Sequence, residues 1–393
     1  QMCIRDRSLA DVPLGAFLSG GIDSSLIAAL MQTQSSKRIC TFTIGFHEPE
    51  YNESAYAASV ARHLRTEHVE LYVGASDALD LVSRLPTLYD EPFADSSQIP
   101  TFLLCQQARR KLTVALSGDG GDELFGGYNR YLWVRRIWSK LSWCPRSIRA
   151  LIGRALCGVP PRYWDTVCRK MFLMLPQHLQ VSFPGDKLHR LGERLLAVGD
   201  DDELFFSLIS EWKHPEEVVC RASEPETILS RPENWPRLPA VEERMMLLDS
   251  LTYLPDDILV KVDRAAMGTS LETRAPFLDH RVVEAAWRLP IQMRLSDGQG
   301  KWVLRKILYK YVPRELIERP KQGFGIPLAT WLRGPLRDWA EALLSEQRLG
   351  VEGYLDPEQI SRRWRQHLTG ERNWEHSLWA VLMFQAWREK YLC

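Results

Sequence analysis

Leu18-Ser19-Gly20-Gly21-Ile22-Asp23-Ser24-Ser25 follows an apolar run at 12–17 and precedes the helical pattern Leu26-Ile27-Ala28-Ala29-Leu30-Met31. The order strand, glycine pair, hydroxyls, helix builds an anion site. Glycine lets the backbone turn tightly and approach a ligand closely. The first amides of the new helix then point at that ligand, with the positive end of the helix dipole behind them. Ser19, Ser24 and Ser25 add hydroxyl donors. No Gly-Lys-Ser or Gly-Lys-Thr ending is present, which excludes the mononucleotide P-loop. A lone glycine pair would read as an ordinary capped turn. Asp23 argues otherwise, because a carboxylate inside a glycine-serine nest repels an anion unless a divalent cation lies between them.

The rest of the chain bounds what surrounds this loop. At 393 residues it is long enough for two domains or more. Lysine plus arginine balance aspartate plus glutamate at 50 each, so no nucleic-acid partner is expected. No apolar run reaches the ~18 residues of a membrane span, and Arg5-Asp6-Arg7 sits where a secretory signal would be apolar. Neither a membrane partner nor secretion is expected. The eight cysteines are scattered without a Cys-x-x-Cys pair, which argues against zinc and redox roles and for a reducing cytoplasm. Residues 1–8 fit no element, and the first strand begins almost at once, so the chain reads as a fragment lacking something upstream.

Apolar strand patterns at 39–46, 68–73 and 112–116 alternate with helical patterns at 52–64, 76–85 and 99–110. Such alternation predicts crossover units and an α/β fold: a parallel sheet with helices on both faces. All 14 tryptophans lie at or after Trp133. The expected organisation is therefore an α/β nucleotide-binding part at 9–134, a helical insertion at 135–240, and a mainly helical C-terminal part at 241–393 that completes the site. Ligands of parallel sheets lie at the carboxyl ends of the strands, and a second glycine loop falls there: Ser117-Gly118-Asp119-Gly120-Gly121-Asp122-Glu123-Leu124-Phe125-Gly126-Gly127-Tyr128. It reads either as a solvated, calcium-like acidic loop or as the source of a second carboxylate, Asp122, that joins Asp23 on one Mg²⁺. Mg²⁺ takes one or two protein carboxylates and fills its shell with phosphate oxygens and water.

Ser19–Ser24 resembles the pyrophosphate-binding loop of the ATP pyrophosphatases, the adenine nucleotide alpha hydrolase-like proteins that split ATP between its α and β phosphates. Adding Asp90-Glu91-Pro92-Phe93-Ala94-Asp95-Ser96-Ser97, the second glycine loop, residues 262–279 and Arg319-Pro320-Lys321-Gln322-Gly323-Phe324 narrows the resemblance. Together these five segments, in this order, are similar to the synthetase domain of glutamine-dependent asparagine synthetase.

The resemblance implies a ligase that uses ATP and Mg²⁺ to convert aspartate to asparagine through β-aspartyl-AMP, releasing AMP and pyrophosphate. It implies that Leu18, Ser19, Gly20, Gly21, Asp23, Ser24, Ser25, Ile44, Ser117 and Gly118 bind ATP, and that Asp23 and Asp122 hold the metal. Asp119 stands where the family usually has Glu, a residue tied to forming the acyl-adenylate. Lys321 would reach the α-phosphate from a loop that closes as a lid, and Arg264 joins these two as a catalytic candidate. Asp263 and Asp95 are candidates for binding the acyl substrate. From the residues themselves, Glu272 and Arg274 read as a structural ion pair, Met267 and Leu271 as core positions four apart, and Asp279 as a helix cap.

The family carries an N-terminal glutaminase domain with a cysteine nucleophile. Cys3 is followed by Ile4 rather than the usual Gly, and no such domain comes after it. The expected partners are thus ATP, aspartate, and ammonia or glutamine, with a glutaminase domain supplied in cis or in trans. The aromatic tail at 374–392 suits a packed terminal helix or a homodimer interface. Two other readings stay open at this level: the same ATP chemistry on another carboxylate (a sugar acid, a peptide or a β-lactam precursor), and a nucleotide-binding sensor without turnover.

Overall fold

The computed structural model describes residues 2–48, 51–172, 184–318 and 325–392. Five strands form one sheet: β1 (Leu14–Phe17), β2 (Cys40–Phe46), β3 (Glu67–Val73), β4 (Val114–Leu116) and β5 (Glu272–Arg274). All four pairings are parallel, in the order β3-β2-β1-β4-β5. This is the expected α/β class. β1 is central, with Gly15 in register with Cys40 on one side and Ala115 on the other. The chain runs outward from β1 through β2 to β3, then crosses back to β4 on the opposite side of β1. The direction of winding therefore reverses between β1 and β4, and a crevice opens beyond their carboxyl ends. Both glycine loops leave those two strands.

Helix Ile22–Gln34 is buried from Ser24 to Met31, with Ala28 and Ala29 fully enclosed. A helix that is apolar all round is one covered on all sides. It shares a core cluster with Leu18, Leu116, Phe125, Leu304 and Leu308; each such Leu or Ile contributes roughly 1.5–3 kcal/mol by leaving water. Helix Ser54–Leu64 adds Ala57 and Val60 to the same cluster.

Three local expectations change. β5 carries no apolar residue, so nothing in Glu272-Thr273-Arg274 reads as a strand; it pairs on one side only, with β4, at the sheet edge. Met2–Arg7 is a helix, where no element is expected. Six residues are too few to hold a helix alone, and tertiary contacts do so. Ile4 is buried, Arg281 Nη2 donates to Asp6 Oδ2 at 2.8 Å, and Arg274 Nη1 donates to the Arg7 and Leu9 carbonyls at 2.9 Å. Leu271 is buried but Met267 is 68% exposed. Helix Val260–Met267 ends at Gly268, so their four-residue spacing no longer puts both on one face. The ion pair between Arg274 and Glu272 forms at 2.6 Å, and Asp279 caps helix His280–Arg288 by accepting from the Arg281 amide.

The chain divides into two compact units. The first comprises residues 1–132, 228–328 and 386–393 and contains the sheet; the second comprises 133–227 and 329–385. In the first, helix Val241–Leu251 leads through a π-helical turn, Leu254–Leu259, into helix Val260–Met267. The second unit is helical. Its helices Arg146–Cys157 and Pro184–Ala197 meet at Gly153 and Gly192, where a Cβ on Gly153 would lie 2.8 Å from the Gly192 carbonyl oxygen. Trp331 and Trp379 are enclosed in its core. Among the described residues no helix is long and apolar enough to cross a membrane.

Candidate active site

A cavity of about 730 Å³ lies within the first unit, beyond the carboxyl ends of β1, β2 and β4. The first glycine loop forms one wall. Gly20 takes a left-handed φ of 74°, and a Cβ there would come within 2.8 Å of the Ala57 amide nitrogen, so only glycine fits. Ser24 Oγ accepts from the Ser19 amide at 3.1 Å, and the two hydroxyls lie 3.0 Å apart, which ties the turn to the start of helix Ile22–Gln34. The second loop packs against the first: a Cβ on Gly121 would come 2.5 Å from Asp23 Oδ1.

Leu18, Ser19, Gly20, Gly21, Asp23, Ser24, Ile44, Asp95, Ser117, Gly118, Asp119 and Asp122 all line this cavity. Ser25 lies behind the wall, fully buried in the first turn of the helix. Asp263 and Arg264 are exposed and absent from the cavity wall, and Arg264 Nη1 instead pairs with Asp90 Oδ2 at 3.2 Å. They point away because Lys261, on the inner side of the same helix, takes the place facing the cavity. Lys321 lies outside the described residues.

Three charged residues on or beside the cavity are missing from the sequence reading, and a fourth stands in the second glycine loop with no role assigned to it. Lys301 bridges the two carboxylates expected to share a metal: its Nζ lies 2.8 Å from Asp122 Oδ1 and also bonds Asp23 Oδ2. It stands in left-handed backbone at φ 59° and caps helix Trp302–Leu308, while its amide donates to the Phe125 carbonyl at 2.9 Å. Burial alone would lower the Lys301 pKa, but Asp122 and Asp23 outweigh it and push it up. The sequence did carry a signal, Gly298-Gln299-Gly300-Lys301, a glycine-flanked lysine at a helix start.

Lys261 is the second. It pairs with Asp95 Oδ2 and lies 4.0 Å from Asp257 Oδ1. Asp95 also accepts from the Ser97 amide and hydroxyl, each at 2.8 Å. Burial would raise the Asp95 carboxyl; the Lys261 ammonium and the Ser97 donors overcome that and hold it low. Asp257, the third, moves the other way, because burial and the neighbouring Asp95 charge both raise it.

Asp119 is half-buried on the cavity wall, and desolvation raises its carboxyl above the ordinary range, with Asp23 and Asp122 adding to that and Ser117 and Lys261 opposing it. Glu123 is the fourth: burial pushes it up to about 7, against a 2.6 Å hydrogen bond from the Tyr128 hydroxyl. The arrangement offers two kinds of recognition. Backbone amides, hydroxyls and Lys301 suit a polyanion, while the Asp23–Asp122 pair suits a cation shared with it.

Comparison with known proteins gives a consistent result. The family model described as asparagine synthase matches residues 1–389. The chain is 31% identical over 383 residues to a putative asparagine synthetase (glutamine-hydrolyzing) of Mycobacterium bovis, covering 96% of this chain and 54% of that protein. It is 28% identical to asparagine synthetase (glutamine-hydrolyzing) 1 of Bacillus subtilis, covering 96% and 56%. With a putative asparagine synthetase (glutamine-hydrolyzing) 2 of Methanocaldococcus jannaschii the identity is 45% over 280 residues, covering 68% and 47%. The chain spans about half the length of the curated relatives it matches.

Proposed function

The chain belongs to the asparagine synthase family, and from that premise we propose that it is a ligase that forms an amide with ATP. In the reading the site supports best, the side-chain carboxylate of aspartate attacks the α-phosphorus of ATP. The bond from that phosphorus to the bridging oxygen breaks, pyrophosphate leaves, and β-aspartyl-AMP forms. Ammonia then attacks the acyl carbon, AMP departs with the C–O electron pair, and the nitrogen loses a proton to give asparagine. Ammonia comes from glutamine through a glutaminase domain in cis or in trans, and the reaction runs in the cytoplasm.

The protein's part is positioning and electrostatics. Leu18 and Ile44 offer apolar wall to the base and ribose, beside Ser117 and Gly118. Ser19, Gly20, Gly21 and Ser24 hold the pyrophosphate at the start of helix Ile22–Gln34, with Ser25 supporting that turn from behind. Lys301 supplies positive charge beside them. Asp119 faces the acyl-adenylate, and Lys321 reaches the α-phosphate. Asp23 and Asp122 fit a magnesium ion, since their oxygens already converge on one cation; bound there, it would neutralise charge on the departing pyrophosphate.

The observation that carries this reading is the convergence of both glycine loops, with their two carboxylates, on one cavity at the point where the sheet reverses. The experiment is a screen of carboxylic acids with Mg-ATP and ammonium, followed by pyrophosphate release. Aspartate is expected to stimulate release and to yield asparagine and AMP. Release only with a sugar acid, a peptide or a β-lactam precursor would move the assignment to that acid, and ADP with phosphate would sink the adenylation reading.

A further inference from the structure

We propose that the second unit docks on an anionic lipid surface through the outward face of helix Arg146–Cys157 and the segments flanking it. Residues 133–164 contain seven Arg or Lys and no Asp or Glu, in a chain whose net charge is zero. Six of the seven are exposed, namely Arg135, Arg136, Lys140, Arg146, Arg154 and Arg162. Arg149 alone turns inward, where its Nη1 donates to the Val198 carbonyl at 3.1 Å. The acidic groups of the neighbouring helix Pro184–Ala197 do not offset this charge. Asp186 is paired with Arg190 and Arg372, and Glu193 with Lys213 and Arg372.

The apolar pattern of the helix is inverted. Ile148, Leu151, Ile152 and Ala155 recur at the spacing of a single helical stripe, and all four are exposed. The opposite side buries Arg149 and Gly153. Leu151 is 67% exposed, and Trp143, just before the helix, is 89% exposed. Aliphatic side chains and tryptophan flanked by arginine are what a helix lying in the plane of a bilayer presents: the apolar stripe enters the acyl boundary, tryptophan sits at the headgroups, and the guanidinium groups meet lipid phosphates.

Charge selects among the occupants. In a twofold contact the same patch faces itself, so a second copy would bring two sets of like charges together. A polynucleotide would satisfy the arginines but leave the aliphatic stripe in water. An anionic bilayer satisfies both. That no helix among the described residues is long and apolar enough to cross a membrane does not bear on such a surface, which lies along the interface rather than across it.

The full chain, sedimented with vesicles of phosphatidylcholine alone or mixed with phosphatidylglycerol, tests this. Binding to the anionic vesicles is expected to exceed that to neutral ones by about tenfold or more and to weaken as salt is added. Trp143→Ser with Leu151→Ser, and separately Arg136→Glu with Arg154→Glu, should each lower it about tenfold while thermal unfolding stays unchanged. The proposal is overturned by vesicle binding that is absent at low salt or indifferent to both variants. It is equally overturned by light scattering that shows a dimer dissolved by the first variant, or by retention on a polynucleotide in place of vesicles.

Discussion

Lys301 and Lys261 are both buried in the first unit between two carboxylates, yet they settle their charge differently. Lys301 rises from a glycine-rich loop, and its partners Asp23 and Asp122 come from the two glycine loops after β1 and β4. Both carboxylates close on one ammonium, which stays protonated in spite of burial. Lys261 stands on a helix and pairs with one side only: Asp95 is held low, while Asp257 at 4.0 Å is raised. A buried ion persists only where it is paired. The loop site closes two carboxylates on one ammonium. The helix site is lopsided and leaves Asp257 as a carboxyl that readily holds a proton.

Removing the carboxylates of the loop site should have the largest effect. Asp23→Ala or Asp122→Ala is expected to cut pyrophosphate release about a thousandfold, the order lost when a charge-stabilising group goes, with circular dichroism unchanged. Near-normal turnover in either variant would remove that residue from the proposed metal site.

Lys301→Met comes next. It strands two half-buried carboxylates and should cost about 3–5 kcal/mol in urea unfolding. Lys261→Met should cost less, about 2–3 kcal/mol, because Asp257 can stay protonated; equal costs would erase the distinction between the two sites.

The smallest effect is one of pH. Glu123 moves from 4.5 to about 7 on folding. Its folded state holds the proton more tightly, so it contributes stability at acid pH that is lost as pH rises through about 7. Glu123→Gln should therefore gain on the parent between about pH 5 and about pH 8, read as a shift in the urea midpoint. A constant difference over that range would mean that Glu123 titrates normally.

The loop site was largely legible because its signals are local. Apolar runs mark β1 and β4, and the glycine pairs mark the turns after them, where Gly20 and Gly120 take left-handed backbone that other residues rarely adopt. The helix site was not. Asp95 and Lys261 are 166 positions apart, and nothing near either one announces the other. Motif resemblance led to Asp263 and Arg264, whereas the turn of the helix carries Lys261 to the cavity instead. β5 stayed hidden for a related reason: an edge strand paired on one side needs no apolar alternation of its own.

The π turn at Leu254–Leu259 holds one residue more than an α-helical turn of the same height. A chain shortened by one residue there would close into regular helix and rotate everything after it by about 100°. Lys261 would leave Asp95, and the exposed side of Val260–Met267 would swing toward the cavity. The turn therefore acts as a phase setting: a single codon decides which face of the helix meets the cavity.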